Sequence, residues 1–186
     1  AHARRRLPRL PFLVGDFRAR CVCEALALIG EFVENRAHLR ASQRREALFD
    51  IIKEEALAYS VAFATAEEID EINILEATYL AMRRAVEGLT VPADYALIDG
   101  NRMPPLAISG ETIIKGDARS ASVAAASILA KVSRDRFMLE MAQQYPQYQF
   151  EKHKGYGTKL HYEMLDVYGA SPIHRQTFLR TWYEKK

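Results

Sequence analysis

Two short segments set a carboxylate beside a glycine at the end of an apolar run. Tyr95–Ile98 leads into Asp99-Gly100, and Thr112–Lys115 leads into Gly116-Asp117. Both runs are rich in β-formers, so each reads as a buried strand that stops on a tight turn. Such a strand aims its terminal carboxylate out of the sheet edge, where ligands sit in α/β folds. Two of them side by side place hard oxygen donors on one rim, which suits a divalent cation. Turn closure accounts equally well for either aspartate alone, because Asp is a common turn residue.

The residues after Asp117 offer a different chemistry. ARSASVAAASILAKVSRDRFMLEMAQQYP reads as one long helix, with apolar or small residues at Val123, Ala126, Ile128, Leu129, Val132, Phe137 and Met141 and a stop at Pro146. The small side chains of its first half, Ala121 to Ala130, let another backbone approach closely, whether protein or nucleic acid. Ser127 and Lys131 share a face and present a hydroxyl and a cation of the kind phosphates attract, although the pair taken alone reads better as a surface lysine beside a core-facing serine. Further on, Lys152-His-Lys-Gly-Tyr-Gly-Thr158 reads as a loop. Its glycines allow close backbone approach, Lys154 can meet phosphate, and an exposed Tyr156 can stack on a sugar or base. The competing reading rests Tyr156 on the core, and His153 is assigned no chemical role.

Taken in order, IDGN, KGDARSASVAAASILAKVSRDR, FEKHKGYGT and SPIHRQTF resemble the C-terminal two-thirds of bacterial ribonuclease HII, over roughly residues 43–178. The resemblance implies an α/β, RNase H-like fold, a mixed sheet flanked by helices. It implies an endonuclease that uses a divalent metal, magnesium or manganese, to hydrolyse the RNA strand of RNA–DNA hybrids, including single ribonucleotides embedded in DNA. Asp99 and Asp117 are then the catalytic and metal-binding carboxylates. Ser127, Lys131, Lys154 and Tyr156 bind substrate, Tyr156 matching the tyrosine that packs on the sugar at the DNA–RNA junction. The expected partner is nucleic acid and not a membrane, the expected state a monomer, and the expected location the cytoplasm. A catalytically inactive hybrid-binding relative is the alternative.

One RNase H-like domain is expected over 1–186, with residues 1–41 outside the resemblance. The family opens with G-x-D-E-x-G-R-G and later carries D-S-K-K-L; this chain has neither. The Asp-Glu position falls near Leu7-Pro8, Gly15-Asp16 is followed by Phe17, and NRAHLR stands near the second motif. Composition changes at the same place. Residues 1–45 hold ten arginines, no lysine and four acids, a balance of +6 within a total of +2. A basic arm for phosphate is one reading. The other is a shifted frame over residues 1 to about 41, in which case another frame of the upstream DNA encodes the missing motifs. Cys21 and Cys23 are too close in sequence for an easy disulfide and are expected as reduced thiols.

With 186 residues and 49% hydrophobic content the chain can bury a true core. An irregular start or poorly defined strand is expected over 1–20, then largely helical structure over 21–58 with Ser42 capping its second helix. A strand follows at Tyr59–Ala64. Thr65-Ala-Glu-Glu68 reads as a capping box, and Asn73 caps the helix that runs to Gly88. Thr158 caps a helix beginning at Lys159, and Ser171–Phe178 is a basic tail segment.

Overall fold

The structure is a computed structural model that describes residues 10–11 and 41–184. Most of the irregular, arginine-rich and helical expectations for the first 41 residues, and both cysteines, lie outside that range. In chain order the described elements are β1 (Leu10–Pro11), α1 (Ala41–Glu55), β2 (Ala56–Ala58), α2 (Ala66–Glu87), β3 (Tyr95–Asp99), β4 (Ser109–Ile113), a 3₁₀ turn (Gly116–Ala118), α3 (Ala121–Gln144), a second 3₁₀ turn (Pro146–Tyr148), α4 (Phe150–His153), α5 (Lys159–Tyr168) and α6 (Gln176–Tyr183). They form two compact units, each built around its own apolar residues. One takes in everything described up to Ala62 together with Met82–Ala130; the other comprises Phe63–Ala81 and the chain from Lys131 onward.

The first unit is organised on β3. Ala96, Leu97 and Ile98 are all buried, so both faces of the strand are covered, as parallel sheets require. β3 pairs in parallel with β4, in register from Tyr95 opposite Ser109 to Asp99 opposite Ile113. β1 pairs in parallel with β2. Leu48, Phe49 and Ile52 of α1 and Ala121, Val123, Ala125 and Leu129 of α3 supply further buried side chains. The small residues of α3 therefore serve partly in close packing within the protein.

The second unit buries Met138, Met141, Tyr148, Phe150, Leu165 and Leu179, with Trp182 and Tyr145 partly covered against them. Tyr148 and Phe150 stack with ring centroids 5.3 Å apart. Three caps form as their sequences predict. The Thr65 amide donates to Glu68 while the Glu68 amide donates to the Thr65 hydroxyl. The Asn73 side chain accepts from the Leu75 and Glu76 amides, and Thr158 from His161. At Asn73 the backbone leaves helical geometry (φ 71°, ψ 165°), which kinks α2 where the second helix was expected to start.

Several boundaries differ from the sequence reading, each for a physical reason. The strand expected at Tyr59–Ala64 is replaced by Ala56–Ala58, where the pairing with β1 ends; Tyr59–Ala64 has no ladder partner among the described residues. The run expected at Thr112–Lys115 begins earlier, at Ser109, and stops at Ile113 because β3, its partner, ends opposite it at Asp99. Ser42 sits in the first turn of α1, which starts at Ala41. Met138 is the buried member of its turn in α3, while Phe137 faces outward, 6.1 Å from the Phe63 ring. The expected basic tail is a turn followed by α6. The cap of α6 comes from a distant residue, Asp70, which accepts from the Gln176 and Thr177 amides and the Thr177 hydroxyl. Burial works against ionisation of Asp70, but the Thr177 and Gln176 donors outweigh it and hold the carboxyl below its ordinary range.

Candidate active site

Asp99 is the last residue of β3 and is exposed, as a strand-end carboxylate should be. Its Oδ1 accepts the Gly116 amide at 2.8 Å, tying the end of β3 to the turn after β4. Asp117 is the next residue, carried on the 3₁₀ turn and not, as the sequence suggested, directly on a strand end. The strand end that carries Asp99 is thereby tied to the turn that carries Asp117. A side chain at Gly116 would not fit easily. Its Cβ would lie 3.0 Å from Val123 Cγ1 and 3.4 Å from Asp99 Oδ1. Lys115 adopts the left-handed conformation (φ 56°), a non-glycine geometry that surrounding structure must impose. The turn is also fastened to α3: the Gly116 carbonyl accepts from the Arg119 and Ser120 amides at 3.0 and 2.8 Å.

Two carboxylates with hard oxygen donors on such a cradle fit one divalent cation in donor chemistry. They fall short of the set that two ions would need. Among the described residues no group of three or more His, Cys, Asp and Glu side chains is placed to hold a metal. Ser127 lies half-buried on α3, and Lys131 lies exposed one turn further along the same helix.

In the second unit Lys154 and Tyr156 share the loop between α4 and α5. Tyr156 is 63% exposed, so the resting-on-core reading does not hold. Lys154 has φ 51° and Gly155 φ 77°, two successive left-handed residues that turn the chain sharply. Arg134, one turn beyond Lys131 on α3, braces this turn. Its Nη2 donates to the Lys154 carbonyl at 2.9 Å, and its guanidinium sits 4.6 Å from the centre of the Tyr156 ring. Arg134 Nη1 is buried without a hydrogen-bond partner.

Three buried histidines stand behind the loop, and the sequence reading gave none of them a role. His153 and His161 stack with ring centres 4.4 Å apart. His161 Nε2 lies 2.9 Å from His174 Nε2. Burial first, and then the neighbouring ring of His161, push His174 down to about 4. His161 is lowered as well, again mainly by burial, with His153 adding to it and the Tyr156 carbonyl opposing. Arg175 is lowered by burial and by the positive charge of Arg134. A buried polar cluster is hard to read from sequence, because its members lie 8 and 13 residues apart with no helical or strand period.

Comparison with known proteins settles the family. Residues 39–186 match the profile of the family Ribonuclease HII. The chain belongs to the ribonuclease HII family. It is 58% identical over 139 residues to the ribonuclease HII of Marinomonas sp. (strain MWYL1), covering 74% of this chain and 70% of that protein. The corresponding protein of Endomicrobium trichonymphae is 61% identical over 139 residues, or 74% of this chain and 66% of that one. That of Clostridioides difficile (strain 630) is 53% identical over 137 residues, with 74% and 54% covered. The matched part of this chain thus spans 54% to 70% of those relatives' lengths. The crystal structure of the ribonuclease H2 from Pyrococcus horikoshii OT3 superposes with a TM-score of 0.67 at 23% identity, covering 88% of this chain and 87% of that one. The fold is therefore the α/β, RNase H-like fold that the resemblance implied, although the described strands pair only in parallel and not in the mixed sheet expected. No described helix is long and apolar enough to cross a membrane.

Proposed function

We propose that this chain is an endonuclease that hydrolyses the RNA strand of RNA–DNA hybrids, including single ribonucleotides embedded in DNA, leaving a 3′-hydroxyl and a 5′-phosphate. The observation that carries the reading is the Asp99 carboxylate latched by the Gly116 amide directly beside Asp117. A divalent cation, magnesium or manganese, would be held by Asp99 and Asp117. When bound it supplies Lewis-acid stabilisation of the charge that develops on the phosphodiester. The remaining work falls to the chain itself. The Gly116 amide fixes one Asp99 oxygen, which orients the carboxylate before substrate arrives. Ser127 and Lys131 offer a hydroxyl and an ammonium to backbone phosphates. Lys154 adds a further cation, and the exposed Tyr156 ring offers a flat surface for a sugar or base.

A second reading, a non-catalytic hybrid-binding relative, is favoured by one observation: the sequence lacks the Asp-Glu pair that the family resemblance implies ahead of Asp99. A cleavage assay with magnesium or manganese on a duplex containing one ribonucleotide separates the two. Cutting beside the ribonucleotide supports the nuclease. Binding without cutting supports the binder, and neither binding nor cutting overturns both.

A further inference from the structure

The three histidines behind the Tyr156 loop form a directional chain whose proton positions follow from its neighbours. At one end the Ser171 amide (2.9 Å) and the Ser171 hydroxyl (2.6 Å) both meet His174 Nδ1. An amide can only donate, so Nδ1 is the acceptor and the His174 proton sits on Nε2. That N–H points at His161 Nε2, which must therefore accept. The His161 proton is then on Nδ1, where it donates to the Tyr156 carbonyl at 3.0 Å. His153 repeats the logic from the other side. Its Nε2 donates to the Tyr148 carbonyl at 2.8 Å, while its Nδ1 accepts the Gly155 amide at 3.2 Å. Both nitrogens of each ring are committed.

We propose that Ser171, His174 and His161 are positioning residues that hold the Lys154–Thr158 loop by its Tyr156 carbonyl, so that the Tyr156 ring is presented in one orientation. The inference rests on the reading above, in which Tyr156 meets the hybrid. Two features distinguish this chain from ordinary core filling. It terminates on the backbone of Tyr156, which is 63% exposed, and an apolar core could fill the same space without fixing any tautomer. The Tyr156 carbonyl also accepts the Thr158 amide, and the Tyr156 amide donates to the His153 carbonyl, so the whole turn moves with that anchor. Arg134 grips the opposite shoulder at the Lys154 carbonyl.

The test uses the full chain. Long-range proton–nitrogen spectra of the labelled protein near pH 7.5 should show His161 protonated on Nδ1 and His153 and His174 on Nε2; His161 protonated on Nε2 overturns the proposal. Hydrogen exchange is then compared in wild type, His161→Leu, His161→Asn and Ser171→Ala. Asparagine can still donate from the position of Nδ1, and leucine cannot. Exchange of the Gly155, Tyr156 and Thr158 amides should rise about tenfold in His161→Leu, recover in His161→Asn, and rise severalfold in Ser171→Ala, with α5 unaffected. Equal loop protection in all four proteins overturns the idea. Should His161→Leu lose α5 protection as well, Ser171→Ala decides the matter, since it removes only a hydroxyl. Binding of a one-ribonucleotide duplex should weaken about tenfold in His161→Leu and weaken no further when Tyr156→Ala is added. If Tyr156→Ala alone binds as wild type, the hybrid reading of Tyr156 fails, while the exchange results still judge the positioning role.

Discussion

The aspartate rim and the tyrosine loop are held in opposite ways. At the rim, one backbone amide fastens Asp99, and both carboxylates remain exposed to solvent. At the loop, hydrogen bonds with His153, His161 and Arg134 hold Gly155, Tyr156 and Lys154 in turn, and the Tyr156 ring is exposed. A cation site gains when one latch orients a carboxylate ahead of the ion, whereas a stacking surface gains from being held at several points. Substitutions at the rim should therefore change chemistry and spare stability. Substitutions behind the loop should change both.

The largest expected effect sharpens the first half of that contrast. Asp99→Asn or Asp117→Asn should lower ribonucleotide cleavage by more than the about 10–100-fold typical of outer-shell changes at metal sites. Melting of the Asp117→Asn protein should stay within about 0.5 kcal/mol of wild type, as for an exposed site. Cleavage at wild-type rate in either variant removes these aspartates from the chemistry.

Next in size is a pH effect confined to the second region. The folded His174 ring has its pKa lowered to about 4 from the ordinary 6.5, so below pH 6.5 the unfolded chain binds a proton that the native ring refuses. Stability contributed by the neutral ring is complete above about 6.5 and is lost as pH falls toward about 4, a change on the order of 3 kcal/mol. His161, lowered mainly by burial, adds in the same direction. Urea unfolding between pH 4 and 8 should show this slope in wild type and a shallower one in His174→Gln. Identical slopes would mean that His174 does not titrate as its surroundings require.

Smaller effects probe substrate contact. Tyr156→Ala should weaken hybrid binding by about 1–3 kcal/mol, the range of one base–aromatic stack. Lys131→Ala should reduce the slope of log affinity against log salt by about one, as expected when one phosphate contact is lost. If its affinity and slope match wild type, Lys131 is a solvated surface residue only.

What the sequence showed and what it hid divide along the same line. Asp99 and the Thr65, Asn73 and Thr158 caps were legible because local chemistry dictates them: a strand end, a capping box, a side chain two or three residues from its amide. The end of β4 was not legible, because β3 sets it across the pair and Ile114, apolar yet 64% exposed, carries no hint of it. The α6 cap was hidden for a similar reason, Asp70 lying more than 100 residues from the amides it accepts. His161, His174, Ser171 and Arg134 were missed altogether. Their roles depend on three-dimensional convergence, and only SPIH, with serine three residues before histidine, carries a local trace.

The central claim is that Asp99 and Asp117 share one cation. Manganese, being paramagnetic, broadens nearby amide signals, so a titration of the labelled full chain reads the site without requiring cleavage. The Asp99, Gly116 and Asp117 signals should broaden together at the lowest manganese concentrations, and Asp99→Asn and Asp117→Asn should each weaken the response at all three. Broadening at one aspartate without the other, or an unchanged response in both variants, would contradict it.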